Sequence, residues 1–260
     1  MDGVTGVAVS GADIYVPTNI PGIGQTVGQY DLATGEAVSG FSSPTSVPGA
    51  VGVAVANGVL YVANSANAST VAAFNATTGA PEPGFTTITN LEYPQSVALT
   101  GNYLCVAGYH GGGIAIYNAT TGAFIKNIAG GTYPDDIACD GDDIYAGSLD
   151  GNITEYSLAT GDVISGFNSP SPLLEVTGLA VTGTDLYVAG YIGFPAPDQR
   201  FPTLGVYNAT TGSTISTDLG MGLQFPGQIT IAEPVPEPDE WALVACGTAV
   251  LGMEWARRKG

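Results

Sequence analysis

The feature that most constrains this chain is an internal repeat of short apolar segments. Each repeat opens with four residues of the type GVAV, and the alanine at the third position recurs every 40 to 46 residues, as Ala8, Ala54, Ala98, Ala138 and Ala180. A glycine-containing turn and a second apolar segment follow. A loop of variable length then leads to a third segment that ends in a phrase such as YNATTG, and a fourth segment closes the unit. Four short strands joined by tight turns at this period predict the blades of a β-propeller.

Composition agrees with an all-β fold. The 260 residues include 38 Gly, 45% hydrophobic and only 11% charged residues, and a mean hydropathy of +0.24 excludes a generally disordered chain. Thr, Val, Ile and Tyr are abundant whereas Lys and Glu are sparse, which disfavours a helical bundle. A parallel β-solenoid is the main alternative, but it is normally built from shorter coils.

The repeats define the expected domain boundaries. We expect residues 1–232 to form an all-β propeller of five complete four-stranded blades and a partial sixth, at about 6–43, 52–89, 96–131, 136–169, 178–220 and 225–232. The partial blade rests on QITI at 228–231, because the preceding Phe225-Pro226 resembles the aromatic-Pro pair before the third and fourth units. We therefore expect an incomplete six-bladed ring that lacks three N-terminal strands. A five-bladed ring with a spare strand is the alternative.

The C-terminal segment has three parts in a fixed order. A Pro- and acid-rich linker at 233–240 contains Pro236, Glu237 and Pro238, and an apolar segment with a basic end follows at 241–260. The apolar part is expected to form a short hydrophobic, membrane-inserting helix, since tryptophans flank it and basic residues trail it. Its expected membrane-facing residues are Trp241, Leu243, Val244, Val250, Leu251 and Trp255, and the basic end is Arg257, Arg258 and Lys259.

This tail resembles the PEP-CTERM sorting signal of exported proteins of Gram-negative bacteria, and the repeats resemble those of NHL and YncE-like propellers. The resemblance implies export, temporary anchoring in the inner membrane through the C-terminus, and processing by an exosortase-type enzyme. It implies a final location at the outer surface or outside the cell, often in bacteria that make exopolysaccharide.

Net charge excludes one class of partner. The chain carries 23 acidic and 5 basic side chains, for a formal charge of −18. Such a surface repels phosphate backbones, so nucleic acid is excluded as a partner. The three cysteines, Cys105, Cys139 and Cys246, are interpreted as buried thiols that act as small hydrophobes.

Strand order predicts which end of the propeller carries function. The connections from second to third strands and from unit to unit share one end, here called the loop face, while the short uniform hairpins share the other, here called the turn face. Because function concentrates on variable loops, ligand-binding residues are expected on the loop face. The candidates are Tyr109, His110, Asp135, Asp136, Tyr191, Asp198, Arg200 and Phe201, with Tyr93, Tyr133, Asp150 and Phe194 beside them.

Catalytic residues are not expected. His110 is the only histidine, so no multi-histidine metal site can form, and no cofactor or metal is expected. Asp140, Asp142 and Asp143 belong to a hairpin turn at the opposite end from Asp135 and Asp136, which argues against a calcium site. The first strands are expected to offer only Val, Ile, Leu, Ala and Thr to the central channel.

The sequence thus predicts an exported, surface- or matrix-associated binding or structural protein. Its expected partners are a polysaccharide or another surface protein. A hydrolase or lyase that resembles lactonases or streptogramin lyases is the alternative, and it would need a metal or an acid–base pair around the central channel. A passive spacer that binds nothing is the third hypothesis.

Overall fold

The fold is all-β in every residue range that the structure describes. The computed structural model describes residues 6–20, 24–42, 47, 49–65, 69–108, 113–128, 134–170, 173–193, 200–217, 226–232 and 242–247. Within those ranges the regular elements are all strands. None of the described residues belongs to a helix with the length and hydrophobicity that a bilayer crossing requires.

In the described part of the chain, nineteen strands form six small antiparallel sheets, numbered here in chain order. Sheet 1 contains β1 (Ala8–Ser10), β2 (Asp13–Ile20) and β3 (Gly24–Asp31), and sheet 2 contains β4 (Ala50–Ala56), β5 (Val59–Asn64) and β6 (Thr70–Asn75). Sheet 3 contains β7 (Pro94–Thr100), β8 (Tyr103–Gly108), β9 (Gly113–Asn118) and β10 (Phe124–Ile128). Sheet 4 contains β11 (Pro134–Asp140), β12 (Asp143–Ser148) and β13 (Ile153–Ser157).

The last two sheets differ most in size. Sheet 5 contains β14 (Leu173–Thr182), β15 (Asp185–Gly193), β16 (Arg200–Asn208) and β17 (Thr214–Ser216), whereas sheet 6 contains β18 (Pro226–Ala232) and β19 (Ala242–Gly247). Each sheet is a meander in which consecutive strands are neighbours. This order follows from the short turns, since a tight turn can join only antiparallel neighbours.

The first strands of the sheets lie side by side in a propeller-like arrangement. Strand β4 contacts β1 and β7, β11 contacts β7 and β14, and β18 contacts both β14 and β1. The apolar core lies between successive sheets: Ala8 and Tyr15 of sheet 1, for example, pack with Val53 and Leu60 of sheet 2. The small alanine of each first strand therefore faces the next sheet, where space is limited.

Tyrosine hydroxyls join neighbouring sheets across this core. The Tyr15 hydroxyl donates to the main-chain oxygen of Ala76 at 3.0 Å, and the Tyr61 hydroxyl donates to that of Ala119 at 2.9 Å. Both acceptors belong to the repeated phrase at the end of a third strand. Burial raises the pKa of Tyr15 to about 12, with a smaller contribution from the nearby Asp13 charge. Each hydroxyl therefore stays protonated and acts as a donor.

Four-stranded sheets are found in two of the five expected complete units. Sheets 3 and 5 have a fourth strand, while in sheets 1, 2 and 4 isolated bridges take its place, Tyr30 with Ala37, Phe74 with Pro81, Val71 with Ile88 and Tyr156 with Val163. In sheet 2, Pro81 occupies the bridge position that Ala37 and Val163 occupy in sheets 1 and 4, so the isolated bridge does not depend on proline. In sheets 3 and 5 the corresponding segments continue the pairing.

The expected C-terminal helix is wrong for the first six residues of its apolar run. Ala242–Gly247 form β19, which pairs antiparallel with β18, Thr230 lying opposite Val244 and Ile231 opposite Leu243. The physical reason is the free edge of β18, whose N–H and C=O groups an extended neighbour satisfies. The linker at 233–240, Trp241 and residues 248–260 lie outside the described residues.

Candidate functional site

A cavity of about 280 Å³ lies where the first strands of all six sheets meet. Most of its lining residues are aliphatic, and each first strand contributes three or four consecutive residues. The lining extends from Val7–Val9 in sheet 1 to Gln228–Ile231 in sheet 6. The cavity therefore occupies the position of the central channel that the repeats predict.

Three polar side chains from different sheets converge at the loop-face end of this cavity. The Ser96 hydroxyl donates to Asp136 Oδ1 at 2.5 Å, and Gln228 Nε2 donates to the same oxygen at 2.9 Å. The main-chain N–H of Leu179 donates to Asp136 Oδ2 at 2.7 Å. The Asp136 carboxylate of sheet 4 thus accepts hydrogen bonds from sheets 3, 5 and 6. These bonds join four sheets at the end of the cavity.

Burial controls the ionisation of this carboxyl group. Asp136 is 2% exposed, and burial raises its pKa to about 7, although the hydrogen bonds from Ser96, Leu179 and Gln228 oppose that shift. Both carboxylate oxygens are already occupied by donors from the protein. The Ser96–Asp136–Gln228 cluster is therefore suited to holding sheets together, and it presents no carboxylate oxygen that lacks a partner.

In the other three sheets, glycine occupies the first-strand position that corresponds to Ser96, Asp136 and Gln228. A Cβ atom added at Gly6, Gly52 or Gly178 would lie 2.4 Å, 2.4 Å or 2.3 Å from a main-chain oxygen of the neighbouring sheet. The backbones approach too closely there for any side chain. The loop-face end of the cavity is therefore closed by backbone on one part of its circumference and by the polar cluster on the other.

Sheet 5 extends farther toward the loop face than its neighbours. Its strands β14, β15 and β16 have 10, 9 and 9 residues, against 7, 6 and 5 in sheet 4. At the extended end Glu175 lies opposite Tyr191, and Ile192 lies opposite Phe201. Phe201 is 42% exposed and Tyr191 is half-buried. Aromatic side chains thus project at this end, on both faces of the sheet.

Carboxylates from two sheets accompany these aromatic rings. Asp135 of sheet 4 is half-buried, and its pKa is raised to about 6, mainly by burial and further by the negative charge of Glu175. Glu175 is also half-buried and belongs to the extended end of sheet 5. We call Asp135, Glu175, Tyr191 and Phe201 the rim cluster. It combines two carboxylates, of which Asp135 has a raised pKa, with exposed aromatic surface.

The structure separates the residues that the sequence analysis grouped on the loop face. Asp135, Tyr191 and Phe201 belong to the rim cluster, while the neighbouring Asp136 lies inside the cavity instead of on the face. The backbone of Arg200 pairs with Gly193 at the end of sheet 5. Tyr109, His110 and Asp198 lie outside the described residues. So do Pro236, Glu237, Pro238, Trp241, Val250, Leu251, Trp255, Arg257, Arg258 and Lys259; Leu243 and Val244 lie in β19.

The turn-face acids lie apart from this site. Asp140 and Asp143 face each other across the hairpin that joins β11 to β12, at the opposite end of the strands from Asp135 and Asp136. Asp140 Oδ2 accepts from the main-chain N–H of Gly183 at 3.1 Å. Among the described residues no group of three acidic, histidine or cysteine side chains is arranged to hold a metal ion.

Reasoning from sequence missed Ser96 and Gln228 of the Ser96–Asp136–Gln228 cluster. The first strands were expected to offer only apolar residues and threonine to the channel, and this is wrong because Ser96, Asp136, Cys139 and Gln228 all line the cavity. The signal was present in the repeats. The opening position of the first strand is glycine in three units but Ser, Asp and Gln in SVAL, DIAC and QITI.

Comparison with known proteins informs the fold. No family model and no curated protein matches this chain. Among solved structures, the computationally designed Ika8 protein is similar with a TM-score of 0.60 and 16% identity over 97% of this chain and 70% of that chain. Hydrazine synthase from Kuenenia stuttgartiensis is similar with a TM-score of 0.66 and 14% identity, over 94% and 74%. At these identities the likeness supports a propeller-like, all-β fold and says nothing about activity.

Proposed function

We propose that this chain is an exported, non-catalytic binding protein, with a six-bladed ring whose rim cluster binds polysaccharide. The observation that carries the proposal is the extended end of sheet 5, where Tyr191 lies opposite Glu175, Glu175 is close to Asp135, and Phe201 is exposed on the other face of the same sheet end. Contact of β18 with both β14 and β1 supports the six-membered ring. Sheet 6 then occupies the position of the sixth blade.

The chemistry of the rim cluster suits sugars. Pyranose rings present C–H faces that pack on aromatic planes, and aromatic rings contribute large contact area at low conformational cost. Sugar hydroxyls donate to carboxylates, and hydrogen bonds to charged acceptors are the stronger kind. A neutral polysaccharide also suffers no repulsion from a chain of formal charge −18, whereas an acidic polymer would.

Export rests on the C-terminal segment and on its resemblance to PEP-CTERM signals. In this proposal Pro236, Glu237 and Pro238 mark the sorting motif, the following apolar run enters the inner membrane, and Arg257, Arg258 and Lys259 remain on the cytoplasmic side. An exosortase-type enzyme then processes the tail, and the propeller reaches the outer surface. Because Ala242–Gly247 pair with β18, membrane insertion of these residues requires that pairing to be broken.

Glycan-array binding of the purified chain tests the proposed ligand class. Tyr191→Ala, Phe201→Ala and Asp135→Asn are expected to lower binding at least several-fold, because each removes an aromatic or a carboxylate contact from the rim cluster. Tyr103→Ala and Asp142→Asn are the matched controls, since Tyr103 is 41% exposed and both residues lie at the turn face. The proposal fails if no glycan binds, or if the control substitutions weaken binding as much as the rim substitutions do.

Cell fractionation tests export separately. The full chain and a variant ending at residue 232 are expressed in a Gram-negative host that has an exosortase-type enzyme. We expect the full chain in the envelope or medium in a processed form, and the shortened chain without processing. Equal distribution of the two chains would contradict the proposed role of the tail and would leave the glycan proposal to its own test.

A further inference from the structure

The interface between sheets 3 and 4 departs from the pattern of the other interfaces. At four of the other interfaces a second-strand tyrosine shares a packed cluster with an aliphatic residue of the next first strand: Tyr15 with Val55, Tyr61 with Leu99, Tyr145 with Val181 and Tyr187 with Ile231. Between sheets 3 and 4 both positions are cysteine, Cys105 on β8 and Cys139 on β11. At this interface cysteines therefore replace both the tyrosine and the aliphatic residue of the repeated pair.

The two thiols belong to one packed cluster between sheets 3 and 4. The neighbouring Cys105 thiol and burial raise the pKa of the Cys139 thiol well above its ordinary value. Cys105 is fully buried, whereas Cys139 is half-buried and lines the central cavity. The structure has both as free thiols. Ile116 lies opposite Cys105 and is fully buried.

We propose that Cys105 and Cys139 are an oxidisable pair that forms a disulfide between sheets 3 and 4. The oxidant is a disulfide donor, either a small molecule such as oxidised glutathione or an enzymatic carrier. The cavity-lining Cys139 loses its proton and attacks one donor sulfur, which breaks the donor S–S bond and releases one donor thiol. Cys105 then attacks the Cys139 sulfur and releases the second donor thiol. The two cysteines give up two protons and two electrons, and the donor gains them.

The consequence is a covalent link across one interface of the propeller. The bond closes a loop between residues 105 and 139 and so reduces the freedom of the unfolded chain, which is the usual source of disulfide stabilisation. The raised pKa of the Cys139 thiol slows exchange at neutral pH, since the thiolate is the reactive form. Oxidation in the folded state is therefore expected to accelerate as the pH rises.

Tryptic mapping tests the proposal on the unmodified chain. Lys126 and Arg200 are the only basic residues before Arg257, so trypsin yields peptides 1–126, 127–200 and 201–257, each with one cysteine. The folded protein is incubated with oxidised glutathione at about pH 8, blocked with iodoacetamide, denatured and digested. We expect peptides 1–126 and 127–200 to be joined until a reductant is added. Three separate peptides, glutathione adducts alone, or a link to 201–257 would overturn the proposal.

Substitutions provide the controls. Cys246→Ser is expected to keep the link and Cys139→Ser to abolish it. The oxidised chain should also melt at a temperature higher by roughly 4 °C or more than the reduced chain. This shift should be absent in Cys139→Ser. A link that forms only in denaturant, or an equal shift in Cys139→Ser, would show that the folded interface does not direct the bond.

Discussion

Gln228 Nε2 donates to Asp136 Oδ1 at 2.9 Å, although 92 residues separate them in the chain. The hydrogen bond joins the first strand of sheet 6 to that of sheet 4 across the end of the central cavity. Because Asp136 also accepts from Ser96 and from Leu179 N–H, one buried carboxyl links four sheets. The stability of the sheet arrangement should therefore depend on a few polar groups at the end of the central cavity.

Ser96→Ala is expected to destabilise the fold by about 1–3 kcal/mol. The substitution removes the donor to Asp136 Oδ1 and the acceptor for the main-chain N–H of Ile137, at a side chain that is 1% exposed. Urea unfolding measures the effect. Ser10→Ala is the matched control, because Ser10 is exposed at the end of β1; a loss as large as that of Ser96→Ala would contradict this account.

Stability should fall as the pH rises from about 4 to about 7. Asp136 has its pKa raised to about 7 and Asp135 to about 6 in the folded chain, against about 3.9 when unfolded. The folded state therefore binds more protons than the unfolded state in this window, so its stabilisation is complete below the unfolded pKa and is lost toward the folded pKa.

The prediction is tested by urea unfolding of the wild type and of Asp136→Asn at several pH values between about 4 and 7. The midpoint urea concentration reports the stability of each protein. The wild type should show the steeper decline, because the variant retains only the contribution of Asp135 and the general charge repulsion. Parallel curves for the two proteins would show that Asp136 does not titrate as described.

Tyr61→Phe is expected to cost about 1 kcal/mol. It removes the hydroxyl that donates to the main-chain oxygen of Ala119 at 2.9 Å and leaves a buried carbonyl without that partner. Tyr103→Phe serves as the control because the Tyr103 side chain is 41% exposed. Thermal or urea unfolding compares the two. Equal, negligible effects would mean that this hydroxyl bond between sheets 2 and 3 does not contribute to stability.

Polysaccharide binding should weaken as the pH falls through about 6. Protonation of Asp135, whose pKa is raised to about 6, removes a charged acceptor from the rim cluster. Calorimetric titration of a glycan that binds the array, at several pH values on both sides of 6, checks this. Asp135→Asn should bind more weakly and with a smaller pH dependence, whereas an unchanged wild-type affinity across this range would contradict a role for Asp135 as acceptor.

The sheet architecture was predictable because its signals are local and repeated. Glycine turns, alternating apolar residues and the YNATTG phrase predict meandering strands, and the sheets follow these segments along the chain. The fourth strands were harder, since the segments EAVSGF and DVISGF contain no proline and yet form only isolated bridges in sheets 1 and 4. The pairing of β19 with β18 could not be read from the apolar run at 242–247, because that run fits a helix or a strand and a tertiary contact decides between them.

The site was predictable only in part. Asp135, Tyr191 and Phe201 follow from strand order, which assigns them to the loop face. Asp136 could not be separated from Asp135 by sequence, because a register shift between Pro134 and Asp136 sends the adjacent side chains into different surroundings. The Ser96–Asp136–Gln228 cluster depends on contacts over 40 to 132 residues. Such contacts can be predicted only when the relative positions of the repeats in space are known.

Hydrogen exchange of the protein with and without a bound glycan tests the central claim most directly, because it locates the binding surface. The account predicts slower exchange in the extended end of sheet 5, at residues 173–176, 191–193 and 200–202, and at 134–136. The turn-face hairpins at 140–143 and 182–185 should be unchanged. Protection confined to those hairpins, or no protection anywhere, would contradict it.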